Sequence, residues 1–225
     1  MTVAPFVIVR STFRGAVDSE TGYLVDIRRI DEALRRVLLS GESIADLAGD
    51  SAIKRIWHGL LESWTGPPDP AGVELEVSPY LRFGVTIERT DMVRITQCYE
   101  FSASHRLACS GNSEEENQAV FGKCSNPNGH GHNYMLEVTV SKPSDAGSRP
   151  GFTLPALEAV VHSQVLQRFD HKHLNEDCEE FAELNPSVEN IARVIWGLLV
   201  NRISGAELAN VRVWETAKTR ADYCE

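Results

Sequence analysis

No stretch of this 225-residue chain is apolar for long enough to cross a bilayer. The nearest candidate, Val3 to Val9, is broken by Pro5 and closed by Arg10, and it lacks the layout of a secretory leader. The expectation is a cytoplasmic protein with no membrane partner. A CxxC pair is also missing. The five cysteines (Cys98, Cys109, Cys124, Cys178, Cys224) are odd in number and scattered, which argues against a disulfide framework and leaves each thiol to be explained by itself. Positive charge is in deficit, 22 basic against 32 acidic side chains for a net charge of −10, so general attraction to nucleic acid or anionic lipid is disfavoured. An anionic substrate would have to meet a local basic patch. Apolar residues are not scarce: at 42% they allow a real core and exclude global disorder, and the length suits one larger domain or two small modules.

Hydrophobic periodicity divides the chain. Phe6 to Phe13 reads as a strand, and the DSETG turn leads to a short extended stretch, Tyr23 to Ile27, giving an expected hairpin or bulged pair. Arg28 to Leu39 and Ile53 to Trp64 carry apolar residues at helical spacing. The breaker TGPPDPAG follows, then strands at Val73 to Val77 and Arg82 to Ile87. The order then recurs, with strands at Ile95 to Ser104 and Asn133 to Val140, helices at Leu154 to Phe169 and Val188 to Val200, and closing strands at Val211 to Thr216 and Thr219 to Cys224. KRIWHGLLESW (Lys54 to Trp64) pairs with ARVIWGLLVNR (Ala192 to Arg202), which reads as a degenerate duplication or as chance likeness between amphipathic helices.

Chemistry-bearing residues gather after position 98. His130 and His132, in NGHGHNY, are two apart, so on a strand both imidazoles face one side and can address one ion. His105, in FSASHRL, would join them from an adjacent strand, and three neutral histidines with an open fourth position suit catalytic zinc. An HxH pair by itself also suits a surface or core role. Cys124 lies six residues before His130 across the turn SNPNG, which could bring its thiol over the site as a base, or leave it a small buried hydrophobe. Asp170 and His171, in FDHKHLN, are a carboxylate beside an imidazole, read either as a proton relay or as a favourable helix C-terminus. Glu215, in VRVWET, is alone an ordinary strand glutamate.

In order and spacing, FSASHRL, FGKCSNPNGHGHNY, FDHKHLN, VENIARVIW and VRVWET together resemble the 6-pyruvoyltetrahydropterin synthase family over Tyr99 to Glu225. The resemblance implies an α+β tunnelling fold, an antiparallel four-stranded sheet with two helices on one face, whose subunits assemble side by side. It implies Zn2+ on His105, His130 and His132, Cys124 as general base, Asp170 with His171 as the proton relay, and Glu215 as the pterin anchor. Glu189 matches a further substrate-contacting glutamate, although Val188 replaces the threonine often found before it. The implied activity is triphosphate-eliminating conversion of a pterin triphosphate by a homo-oligomer with sites near subunit or module interfaces.

The chain before about position 91 resembles a reduced copy of the same module, from GAVDSETGYLVDIRRIDEAL through the Ile53 to Trp64 helix. It has no HGH, no catalytic cysteine and no DH pair, and Pro79 roughly takes the place of the anchoring glutamate. Residues 1–91 are therefore expected to be a silent module and 92–225 the complete one. A sibling reading is 6-carboxytetrahydropterin synthase, which usually has three residues between cysteine and histidine where this chain has five. A third is a non-catalytic zinc- or pterin-binding protein.

Overall fold

The computed structural model describes residues 6–39, 49–144 and 151–225, so the apolar start from Val3 lies partly outside the described residues. Two compact units divide them, one running to Thr96 and taking in the stretch from Lys142, the other formed by Gln97–Ser141 and the carboxy-terminal residues.

In the first unit, β1 (Ile8–Arg14) is followed by two helices, α1 (Ile27–Leu38) and α2 (Asp50–Ser63), and by β2 (Asp69–Ser78) and β3 (Leu81–Thr86). Asp26 caps α1 by accepting from the Arg28 N–H, which ends the expected extended stretch before Ile27. No strand forms over Tyr23 to Ile27. Asp18 instead folds the preceding turn on itself, accepting from Glu20 N, Thr21 N and Thr21 Oγ1. β1 pairs antiparallel with β2, and β2 with β3. The α2 residues Ile53, Ile56, Trp57 and Leu60 are buried, as are Val73 and Leu75 of β2 and Phe83 and Val85 of β3. Each such side chain contributes about 1.5–3 kcal/mol through burial. Residues two apart on the strands and three or four apart on the helix supply this core, as periodicity requires.

β4 (Met92–His105) begins in the first unit and continues in the second. There the order is α3 (Glu114–Phe121), β5 (His130–Pro143), α4 (Leu154–Val161) running through a π-helical turn into α5 (Gln167–Phe169), β6 (Lys172–His173), α6 (Leu174–Asp177), α7 (Val188–Leu199), β7 (Glu207–Thr216) and β8 (Thr219–Tyr223). The strand order is β4-β5-β7-β8, with β6 parallel to β4. β5 pairs antiparallel with β7, and β7 with β8. α7 packs on β7 and β8, burying Ile191, Ala192, Ile195 and Leu199 against Val211 and Val213. α3 escapes the periodicity reading because its run is polar, with Asn117 its buried residue; it forms through a capping box between Ser113 and Glu116.

The two units repeat one pairing scheme. A strand, two helices and a hairpin recur as β1-α1-α2-β2-β3 and as β5-α4-α7-β7-β8. In the hairpins Glu76 pairs with Arg82 and Ser78 with Leu81, while Trp214 pairs with Arg220 and Thr216 with Thr219, so each carries one bulged residue before its turn. The bulged residues are Val77 and Glu215. Val77, rather than Pro79, is therefore the counterpart of Glu215.

Candidate metal and pterin site

The ends of β4 and β5 carry the three histidines to one place. His105 closes β4; His130 and His132 open β5, two residues apart on one face. Their ring nitrogens lie within 4.8 Å of one another, with His105 Nε2 3.2 Å from His130 Nε2. The His105 Nδ1 is 2.7 Å from the Pro186 carbonyl, which as sole acceptor draws the ring proton to Nδ1 and leaves the Nε2 lone pair aimed at the cluster. His132 Nε2 is buried without a hydrogen-bond partner. Burial, countered by the Pro186 contact and reinforced by His130, His132 and His173, holds the His105 pKa down at about 4. His130 is lowered as well, chiefly by burial and then by His132.

Glu215 adds a carboxylate. The bulge that leaves it unpaired with β8 turns it onto the cluster, where Oε1 is 3.4 Å from His105 Nε2 and 3.7 Å from His132 Nε2. Ring nitrogen lone pairs and a carboxylate oxygen that converge in a half-buried site repel one another unless a cation lies among them. The donor set, three imidazole nitrogens with room for an exchangeable ligand, fits a borderline divalent ion such as zinc.

Gly129 makes the approach possible. It adopts φ +68, and a Cβ there would meet the His105 carbonyl oxygen at 3.0 Å and His173 Nε2 at 2.8 Å. The loop before it is tied to β4, since Leu107 N–H donates to the Cys124 carbonyl at 2.8 Å and the Arg106 Nε to the Ser125 carbonyl at 2.9 Å. Cys124, half-buried, is thereby held just past the end of the strand that carries His105.

Asp170 and His171 form a dyad of their own. Asp170 Oδ1 accepts from the Ser102 N–H at 2.8 Å and Oδ2 lies 2.9 Å from His171 Nδ1; the Ser102 bond, ahead of His171, lowers the Asp170 pKa. His171 sits in the left-handed region, φ 59, with its ring largely exposed. A strained, oriented imidazole is a functional signature. It opens on a groove of about 460 Å³ lined by Ser102, Ser104, His132, Asn133 and His173, and Cys124 is not among the lining residues. Glu189 stands exposed in the first turn of α7. The structure thus joins His105, His130, His132 and Glu215, and pairs Asp170 with His171.

Two residues near the cluster escaped the motif reading. His173, paired by register with Ser104, has a buried and unpartnered Nδ1. Tyr134 is fully buried, its ring 5.5 Å from that of His132 and 6.1 Å from that of His105, stacked on Phe101 at 5.0 Å. Its hydroxyl pKa is pushed up by burial, then by Glu215 and Cys124. Spacing held a signal for Tyr134, two residues beyond His132 on the same face.

The family model for 6-pyruvoyl tetrahydropterin synthase matches residues 94–225, which include every residue of this site. The chain belongs to that family. The 6-pyruvoyl tetrahydrobiopterin synthase of Homo sapiens is 39% identical over 128 residues, covering 57% of this chain and 88% of the human protein. The solved structure of Caenorhabditis elegans 6-pyruvoyl tetrahydropterin synthase is 34% identical and superposes with a TM-score of 0.54, covering 60% of this chain and 96% of that one. The expected tunnelling fold is thereby borne out. A 6-carboxy-5,6,7,8-tetrahydropterin synthase from Aquifex aeolicus (strain VF5) is 27% identical over 161 residues, covering 58% of this chain and 97% of that protein.

Proposed function

We propose that this family member is a zinc-dependent lyase converting 7,8-dihydroneopterin triphosphate to 6-pyruvoyltetrahydropterin with loss of triphosphate. The observation that carries the reading is the convergence of three histidine side chains, each offering a ring nitrogen, beside an acidic side chain.

His105, His130 and His132 would hold the ion, which when bound supplies Lewis acidity to the side-chain hydroxyls and makes the adjacent C–H bonds easier to break. Cys124, held at the end of β4, takes a carbon-bound proton. His171, oriented by Asp170, carries protons between the site and solvent, for which its exposure suits it. Glu215 accepts from the ring amide and amino group, and Glu189 makes a further contact from α7. The triphosphate leaves with its bridging oxygen, and tautomerisation of the side chain completes the product without an external redox cofactor.

With the His171 ring largely exposed, the reading includes a homo-oligomer with sites near subunit or module interfaces. Residues 1–91 are read as a silent module that serves assembly, supported by the repeated pairing scheme and by Val77 standing where Glu215 stands in the other unit. Among the described residues no helix is long and apolar enough to cross a membrane, and the reading places the protein in the cytoplasm.

The sibling reading, a 6-carboxytetrahydropterin product, is less favoured: five residues separate Cys124 from His130, and the animal pyruvoyl-type relatives are more similar in sequence. Incubating zinc-loaded protein with dihydroneopterin triphosphate and weighing the product separates the two. A pyruvoyl mass is expected. A carboxy product would replace the reading, and no turnover with zinc present would move it to a non-catalytic binding protein.

A further inference from the structure

Tyr134 is the one side chain of the cluster's own strand face whose polar group has no task in the scheme above. On β5 the residues His130, His132 and Tyr134 stand two apart, so they form a row on one face. Tyr134 ends the row, with no solvent exposure and with a hydroxyl that has no hydrogen-bond partner. A buried hydroxyl without a partner is costly, and phenylalanine would fill the same space without that cost. The core therefore does not account for the oxygen.

The surroundings narrow what it could meet. The ring is fixed by Phe101, stacked at 5.0 Å with an interplanar angle of 14°, and by edge contacts with His132 and His105. The register between β5 and β7 ends at Met135 with Trp214, so the next step places Tyr134 beside Glu215. That carboxylate is turned to the histidines and takes no hydrogen bond from Tyr134. A phenol hydroxyl is a donor, and the carboxylate beside it in register is directed at the histidines. What enters the histidine cluster with the substrate is oxygen.

We propose that the Tyr134 hydroxyl is a recognition donor, giving a hydrogen bond to an oxygen of the pterin side chain held at the histidine cluster. The proposal rests on the pterin reading above. It makes Tyr134 specific for the side chain rather than for the ring, because a ligand lacking that oxygen leaves the donor buried and unmatched.

The test compares wild type with Tyr134→Phe, both zinc-loaded, in equilibrium fluorescence titrations. Two probes are used, a pterin bearing the trihydroxypropyl side chain and the same ring without it. The expected result is about tenfold weaker binding of the first probe by Tyr134→Phe, the scale of one lost hydrogen bond, with the bare ring bound equally by both proteins. Metal content should match, and the melting temperature of the ligand-free variant should equal or exceed that of wild type, since an unmatched hydroxyl has been removed. Equal affinity of both proteins for the side-chain probe overturns the proposal, as does an equal loss for both probes. A lowered melting temperature would make the hydroxyl structural and overturns it as well. Each of these leaves wild-type binding intact and so leaves the pterin reading standing; a wild type that binds neither probe removes the reading and the proposal with it.

Discussion

Single side chains at this site are defined by what they lack. His132 Nε2 is buried without a hydrogen-bond partner, Glu215 is turned onto ring nitrogens, and Cys124 is held past the end of β4 through its backbone carbonyl. Cys124→Ala should keep zinc, fold and pterin binding while turnover at saturating substrate falls about 100-fold or more, the scale of a positioned base. Cys109 and Cys224, both exposed, serve as controls whose Ala variants should keep activity. Turnover near that of wild type in zinc-loaded Cys124→Ala would assign the proton to His171 instead. For Glu215→Gln, loss of a charged acceptor should weaken pterin binding by roughly 1.5–3 kcal/mol. Titration of the zinc-loaded variant with a bare pterin measures it, and unchanged affinity would remove the anchor role.

Elements matter through the places where they cross. The loop leading into β5 can pass the end of β4 only because Gly129 has no Cβ and tolerates φ +68. Gly129→Ala must push on the His105 carbonyl, so it should lower zinc affinity by more than tenfold while the far strands, β7 and β8, keep their hydrogen-exchange protection. Zinc retained at wild-type affinity would show that the strand ends adjust freely. The segment before α7 makes the second crossing, where Pro186 fixes the His105 tautomer. In metal-free protein the His105 pKa lies at about 4, below its unfolded value near 6.5. Between those values the unfolded chain binds the proton and the folded chain does not, so stability should rise with pH across this window and the contribution should level off below it. Urea midpoints of metal-free protein from pH 4 to 7 measure the slope, and His105→Gln should flatten it. A flat wild-type profile would mean that the buried imidazole accepts its proton when folded.

At the scale of the whole molecule, two compact units share one order of strands and helices, which supports the proposed reading of a complete module joined to a reduced one. Their helices agree in detail: Trp57 of α2 and Trp196 of α7, aligned by the duplicated IW, are both buried with an indole N–H that has no partner. Their sites do not agree, since the bulge holding Glu215 in one hairpin holds Val77 in the other. The family model matches residues 94–225, and 128 residues of this chain cover 88% of the human relative. A truncation beginning near Asp91 should therefore fold and bind zinc, but it exposes the β4 edge that β3 covers in the full chain and should assemble differently. Zinc content with light scattering tests both halves of this expectation. A folded truncation without zinc would make the first unit part of the site, and one that assembles like the full chain would end its proposed oligomeric role.

Local periodicity determined much of this protein from sequence alone. Strand alternation put His130 and His132 on one face, helical spacing marked α1, α2 and α7, and the order of weak motifs marked the family. These are properties of neighbours in the chain, set by the two- and 3.6-residue repeats. Tertiary structure decided the rest. The turning of Glu215 onto the cluster depends on a bulge in the register of β7 with β8, the His105 tautomer on a carbonyl 81 residues away, the Asp170 orientation on the Ser102 N–H, and the unmatched hydroxyl of Tyr134 on what β4 and β7 leave beside it. Register and hydrogen bonding between distant segments are fixed only when the whole sheet has chosen its pairing, and no repeat within a single strand encodes that choice.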